Sequence, residues 1–158
     1  MEYEGDRNEQ RQRHGKGTVK FPNGHVYEGA YLNGKRHGKG TYRYNDQSVY
    51  DGEFVENARS GRGILTFKDG QRYEGEWRAD HMEGQGKYIY ANKDVYIGEF
   101  HEGKRHGKGS YHFEATQTAF TGRWENGTFV EGKWAYPDGT TVDLIDGKWI
   151  YDNRRSNK

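Results

Sequence analysis

A leading aromatic returns along this chain at Tyr3, Tyr27, Tyr50, Tyr73, Tyr96 and Phe120, in steps of 24, 23, 23, 23 and 24 residues. The third unit opens Tyr50-Asp51-Gly52-Glu53-Phe54 and the fourth Tyr73-Glu74-Gly75-Glu76-Trp77. A Gly-x-Gly pair follows in most units, as in Gly38-Lys39-Gly40 and Gly107-Lys108-Gly109. A fixed period of this length marks a repeat architecture, in which neighbouring units stack to build one continuous core. Such arrays serve mainly as binding surfaces and spacers, so the period by itself argues against an enzyme.

Within a unit the pattern has period two. Tyr27, Gly29 and Tyr31 alternate with Glu28, Ala30 and Leu32, which reads as a strand with one distinct face. Asn33-Gly34-Lys35-Arg36 reads as a turn, and Gly38, Gly40, Tyr42 and Tyr44 then alternate with Lys39, Thr41 and Arg43 in a second, antiparallel strand. The inward set of the third unit is Tyr50, Gly52, Phe54, Gly61, Gly63, Leu65 and Phe67; nearly all aromatics of the chain fall on this face. Glycine weakens a strand, but it marks a place where another group comes close. Rings on one strand are therefore expected over glycines on its partner. If Gly29 pairs with Gly40, the polar face sets Glu53 against Arg62 and Glu99 against Lys108. The expected fold is all-β, an elongated single-layer ribbon of stacked antiparallel hairpins.

Only 30% of the residues are hydrophobic and 31% are charged, a balance that alone would point to disorder. The 15% of aromatic residues reverses it, because each buried ring removes about 150–250 Å² from water. The net charge of +1 gives no strong pull towards nucleic acid. With no cysteine, disulfides, Cys-zinc sites and thiol catalysis are excluded. No apolar run reaches the length of a membrane span, and Met1-Glu2-Tyr3-Glu4-Gly5 enters the first unit at once, so an intracellular protein is expected.

The ends depart from the pattern. Arg7 stands where later units have an aromatic, and the last unit loses a residue and a glycine at Gly127-Thr128-Phe129-Val130-Glu131-Gly132. Six units are assigned to residues 1–142, the strands of a closing hairpin to 143–151, and a mobile polar tail to 152–158.

The Tyr-x-Gly-x-Trp opening, the turn and the Gly-x-Gly pair at a period of 23 resemble the MORN-repeat family over nearly the whole chain. The runs Arg13-His14-Gly15-Lys16-Gly17, Gly34-Lys35-Arg36-His37-Gly38 and Gly122-Arg123-Trp124-Glu125-Asn126-Gly127 are similar to those of its radial spoke head members. That resemblance implies stacked hairpins and a structural subunit of the radial spoke head in the axoneme of motile cilia and flagella. It also implies other spoke-head proteins as partners, among them a second MORN subunit or a second copy, with the central apparatus nearby.

Gly-Lys-Arg-His-Gly-Lys-Gly, at 34–40 and again at 103–109, lacks the Walker spacing and a following helix, so it reads as a turn with solvated cations rather than a phosphate loop. His14, His37 and His106 share one repeat position and are too far apart to share a metal; a turn role is expected for them. No acid–base pair, nucleophile motif, metal set or cofactor motif stands out. A single-layer sheet is not expected to cover both sides of its rings. Tyr31, Phe54, Trp77, Phe100 and Trp124, with Tyr27, Tyr73 and Tyr96, are therefore the candidate partner-binding groove. The alternative is a membrane or cytoskeletal adaptor that binds acidic phospholipid through basic turns, with Lys35, Arg36, Lys39, Lys104, Arg105 and Lys108 as its contacts.

Overall fold

In the computed structural model, which describes residues 1–151, the alternation becomes strands and no described residue is helical. The chain divides into two compact units, Met1–Met82 and Glu83–Lys158. The first holds β1 (Glu2–Arg7), β2 (Arg13–Lys20), β3 (Val26–Leu32), β4 (Lys35–Arg43), β5 (Val49–Val55), β6 (Ala58–Thr66) and β7 (Arg72–Arg78). The boundary falls inside β8 (His81–Ile89). The second unit continues with β9 (Val95–His101), β10 (Lys104–Phe113), β11 (Thr118–Glu125), β12 (Thr128–Ala135), β13 (Thr141–Ile145) and β14 (Lys148–Tyr151). Within each unit the strands pair antiparallel with their sequence neighbours in an open sheet.

Two kinds of turn alternate. The tight ones have two residues, both with positive φ: Asn33 and Gly34 at 47° and 88°, Ala79 and Asp80 at 47° and 69°. This mirror-image turn matches the right-handed twist of the strands it joins. The turn expected over Asn33–Arg36 is therefore shorter, and Lys35 and Arg36 already belong to β4. The wider connections, such as Phe21–His25, close through Gly24 N–H to Phe21 O at 3.0 Å and Phe21 N–H to His25 O at 2.9 Å.

The predicted Gly29–Gly40 pairing is present, and glycines pair on across the first unit through Gly52 and Gly63 to Gly75. Beyond that row β2, β4, β6 and β10 carry two extra residues: Phe54 faces Arg59 although Gly52 faces Gly63. The bulge places Gly61 at φ 81°, where a Cβ would run into the Glu53 carboxylate. Glu53 accordingly accepts the Arg62 backbone N–H at 3.2 Å, and Glu99 that of Lys108 at 3.2 Å. The expected Glu53–Arg62 and Glu99–Lys108 side-chain pairs are thus replaced by carboxylate braces on the bulge. On β12 the bulge shrinks to one residue, which accounts for the shortened last repeat.

The C-terminal hairpin, β13 and β14, packs Trp149 against Phe120, Phe129 and Trp134. The tail assigned to 152–158 lies outside the described residues.

Candidate functional site

Each leading tyrosine folds back over the glycine row. Tyr27, Tyr50, Tyr73 and Tyr96 donate their hydroxyls to the carbonyls of Ala30, Glu53, Glu76 and Glu99, three residues on, at 2.7–2.9 Å. The ring then lies where the partner glycine would carry a side chain. A Cβ on Gly40 would stand 2.4 Å from the Tyr27 hydroxyl, and one on Gly63 2.3 Å from that of Tyr50.

The third residue of each opening completes the packing. Tyr27 meets Tyr31 of its own repeat and Phe54 of the next, each edge-on at 5.2 Å. Tyr50 meets Phe54 and Trp77 in the same way, and Tyr96 meets Phe100 and Trp124. Such contacts add about 0.5–1.5 kcal/mol each beyond the area they bury. Trp77 and Trp124 also donate their indole N–H to Gly63 O and Gly109 O, at 3.2 and 3.1 Å.

Arginines close the face from above. The Arg59 guanidinium lies 4.4 Å from the Trp77 ring centre, and that of Arg105 4.7 Å from Trp124. Arg36 spans Tyr42, Phe54 and Tyr27 at 5.1–5.7 Å. Arg36 and Arg105 are thus strand residues stacked on rings, not solvated turn cations, because a flat guanidinium covers aromatic surface at little hydration cost. Lys35, Lys39, Lys104 and Lys108 are exposed, and Lys35 pairs with Glu56 at 3.4 Å.

The eight rings of the candidate groove are consequently buried within the chain. Tyr27, Tyr73 and Tyr96 are 0% exposed, and Tyr31, Phe54, Trp77, Phe100 and Trp124 no more than 5%. The expectation that a single layer leaves such rings uncovered is corrected: neighbouring rings and arginines cover them. Burial raises the pKa of the Tyr27 and Tyr50 hydroxyls well above the ordinary tyrosine value and that of Tyr96 to about 12. Rings further along the aromatic face of each unit, Tyr42 and Tyr44 in the first and Tyr111 and Phe113 in the second, are half-buried.

His14, His37 and His106 lie in strands rather than turns. His14 Nδ1 accepts the Asn33 N–H at 3.3 Å and His106 Nδ1 the Asn126 N–H at 3.4 Å. Ser60 and Glu83 do the same for Ala79 and Glu102. The repeat position that precedes the bulge glycine therefore caps the turn of the following hairpin. Asp94 holds another junction, taking the Glu114 N–H on one oxygen and the Tyr111 hydroxyl and Asn92 amide on the other, at 2.7–2.9 Å. Burial opposes its ionisation, but these donors outweigh it and keep the carboxyl below its ordinary range.

Open space lies on the other face. A cleft of about 680 Å³ is floored by Gly17, Gly29 and Gly40. It shares Lys39 and Asp51 with one of about 400 Å³ floored by Gly52, Gly63 and Gly75, so the two form a single channel across the first unit. The second unit has a cleft of about 850 Å³ over Gly98, Gly109, Gly122 and Gly132. Sequence reasoning placed the groove on the aromatic side. A signal for the arginine lids was present: Arg13, Arg36, Arg59 and Arg105 recur at one repeat position, in phase with the rings.

With this geometry in view, the MORN repeat model matches residues 12–26, 27–49, 50–72, 73–95, 96–115 and 120–141. The chain belongs to the MORN-repeat family. No curated protein matches its sequence. Among solved structures, these MORN repeats are similar to the TCP domain of Drosophila melanogaster SAS-4 (dCPAP), solved in complex with a proline-rich motif of Ana2 (dSTIL). The TM-score is 0.53 at 16% identity, over 83% of this chain and 72% of that one. The wild-type TCP10 domain of Danio rerio CPAP, in complex with a peptide of Danio rerio STIL, gives 0.46 at 16% identity over 84% and 69%. The G-box domain of the microcephaly protein CPAP gives 0.45 at 18% over 90% and 87%. At these identities the SAS-4 likeness is one of fold.

Proposed function

We propose that this chain is a non-catalytic scaffold of the radial spoke head in motile cilia and flagella, holding segments of other spoke-head proteins against its sheets. The observation that carries the reading is the open channel of the first unit: its floor is glycine backbone and its walls carry exposed charged side chains with half-buried Thr18, Thr41 and Ile64 between them. A shallow trough with a backbone floor suits an extended chain better than a small molecule, which is normally enclosed. The perturbed carboxylates Asp46, Asp69 and Asp94 are accounted for by turn donors and, at Asp94, by the Tyr111 hydroxyl, so none is left in need of a chemical task. The SAS-4 domain, with a related sheet, is bound to a segment of another protein, and we carry that mode of binding to this chain. The spoke-head motifs, from Arg13-His14-Gly15 to Trp124-Glu125-Asn126, supply the choice of assembly.

In this reading the eight buried rings act from beneath, fixing the sheet that presents the channel. On the aromatic face a partner meets half-buried rings, Tyr42 and Tyr44 in the first unit or Tyr111 and Phe113 in the second. A tagged chain expressed in ciliated cells is expected on the axoneme and should co-purify with spoke-head proteins. A diffuse or plasma-membrane signal without such co-purification would sink the assignment.

A further inference from the structure

The exposed charges on the two walls of the first unit's channel are opposite in sign and share a period. One wall has Glu4, Glu28, Asp51 and Glu74, from the odd strands β1, β3, β5 and β7. Register places Thr18, Thr41 and Ile64 between them. The facing wall has Lys16, Lys39 and Arg62, from β2, β4 and β6, with Ala30 and the half-buried Glu53 and Glu76 between them; Glu53 is turned to the Arg62 backbone N–H. The other seven charged side chains are exposed. Glu74 is shared with Arg72 at 3.1 Å, so the stretch from Glu4 to Asp51 is the more available. On each wall the exposed charges stand two strands apart, about 9.6 Å.

That spacing selects a conformation for whatever lies along the channel. An extended β-segment repeats its side chains every two residues, about 6.6 Å, and drifts out of phase within one step. A polyproline II segment repeats every three residues, about 9.3 Å, and stays within roughly 1 Å of the wall charges over three turns. It also has three faces, matching a floor and two walls. The floor has no side chains, so the ring of a proline can approach the backbone there.

We propose that the channel of the first unit binds a polyproline II segment of a partner protein with a three-residue charge repeat. Its proline or other small residues lie on the glycine floor, its Arg or Lys on the Glu4–Glu74 wall, and its Asp or Glu on the Lys16–Arg62 wall. The proposal rests on the scaffold reading and adds to it the chemistry and register of the partner. A preformed segment of this kind also loses little conformational entropy on binding.

The test uses the full chain and two synthetic twelve-residue peptides with blocked ends and equal composition. One carries Pro-Arg-Glu four times; in the other the same residues are shuffled to destroy the period. Fluorescence anisotropy should give binding about tenfold tighter for the periodic peptide, weakening with salt. The double variant Glu28→Gln/Asp51→Asn alters two exposed side chains, and circular dichroism reports whether it stays folded. It should lose the preference. Equal binding of both peptides, or a preference that survives the double variant, overturns the proposal. If neither peptide binds while the chain still co-purifies with spoke heads, the register match falls and the scaffold reading stands. If the periodic peptide alone binds but the chain never reaches the axoneme, the spoke-head assignment falls and the channel stands.

Discussion

Gly63 and Gly34 show how differently the same residue type can be constrained. A methyl on Gly63 would stand 2.3 Å from the Tyr50 hydroxyl, and that ring is held by Phe54 and Trp77 on either side. Gly63→Ala is expected to lower the unfolding free energy by about 1–3 kcal/mol or more, as overpacking does. Gly34 has nothing within 4 Å, and its φ of 88° lies in a region asparagine tolerates. Gly34→Asn should shift the urea midpoint little; equal losses at the two sites would refute the ring-over-glycine account. The buried tyrosines make the fold sensitive to alkali. Tyr96 keeps its proton to about pH 12, whereas in an unfolded chain it leaves near the ordinary value of 10.0. The stabilisation is complete below that ordinary value and drains away as pH rises towards 12. Urea unfolding across this window should show stability falling as pH rises, with the buried Tyr27, Tyr50 and Tyr96 adding their phenolate absorbance only on unfolding.

At the scale of strands and turns, the decisive contacts join one hairpin to the next. Arg105 donates to Gly127 O at 2.7 Å while its own carbonyl accepts the Gly127 N–H at 2.8 Å, and the guanidinium covers Trp124 and Tyr111. Arg105→Lys keeps the charge but loses the flat fork, and should cost about 1–2 kcal/mol with faster exchange of the Gly127 amide. Asp94→Ala removes three acceptor contacts at once and should cost about 1–3 kcal/mol. Asp94's depressed pKa makes its contribution complete above the ordinary carboxylate value of 3.8. That contribution is lost as pH falls through the lower folded value. An acid-unfolding curve of Asp94→Ala that overlays the parent would count against this.

Strands and their pairing were legible because period two survives from Tyr27 to Tyr31 and from Gly38 to Tyr44. The bulges were not, for a geometric reason: an insertion of two residues, such as His37-Gly38, preserves parity, so the alternation runs through it without a mark. Parity did place Arg36 on the aromatic face, yet the local string Gly-Lys-Arg-His-Gly reads as a turn. Which face stays open was hidden too, since it depends on tyrosines folding back along their own strands.

For the whole chain, charge bears on what it can hold. The net charge is +1, and among the six cations considered for lipid contact Arg36 and Arg105 are committed to ring stacks. The chain is expected to stay in solution when mixed with vesicles rich in acidic phospholipid at about 0.15 M salt, where surface attraction is largely screened. Co-sedimentation that disappears on replacing Lys35, Lys39, Lys104 and Lys108 by Gln would show the lysines suffice.

The docking of each turn on the strand before it also bears on how such a chain can change over generations. Inner repeats give an acceptor at one end and receive the same contact at the other, as Asn57 does from Arg36 and Asp80 from Arg59. An in-frame tandem duplication of 23 residues would therefore arrive with both halves of its junctions already encoded. Deletion of one such stretch would rejoin matching halves. Repeat number is free to drift under selection for reach, while the atypical first and last repeats are the parts that no copying event can supply.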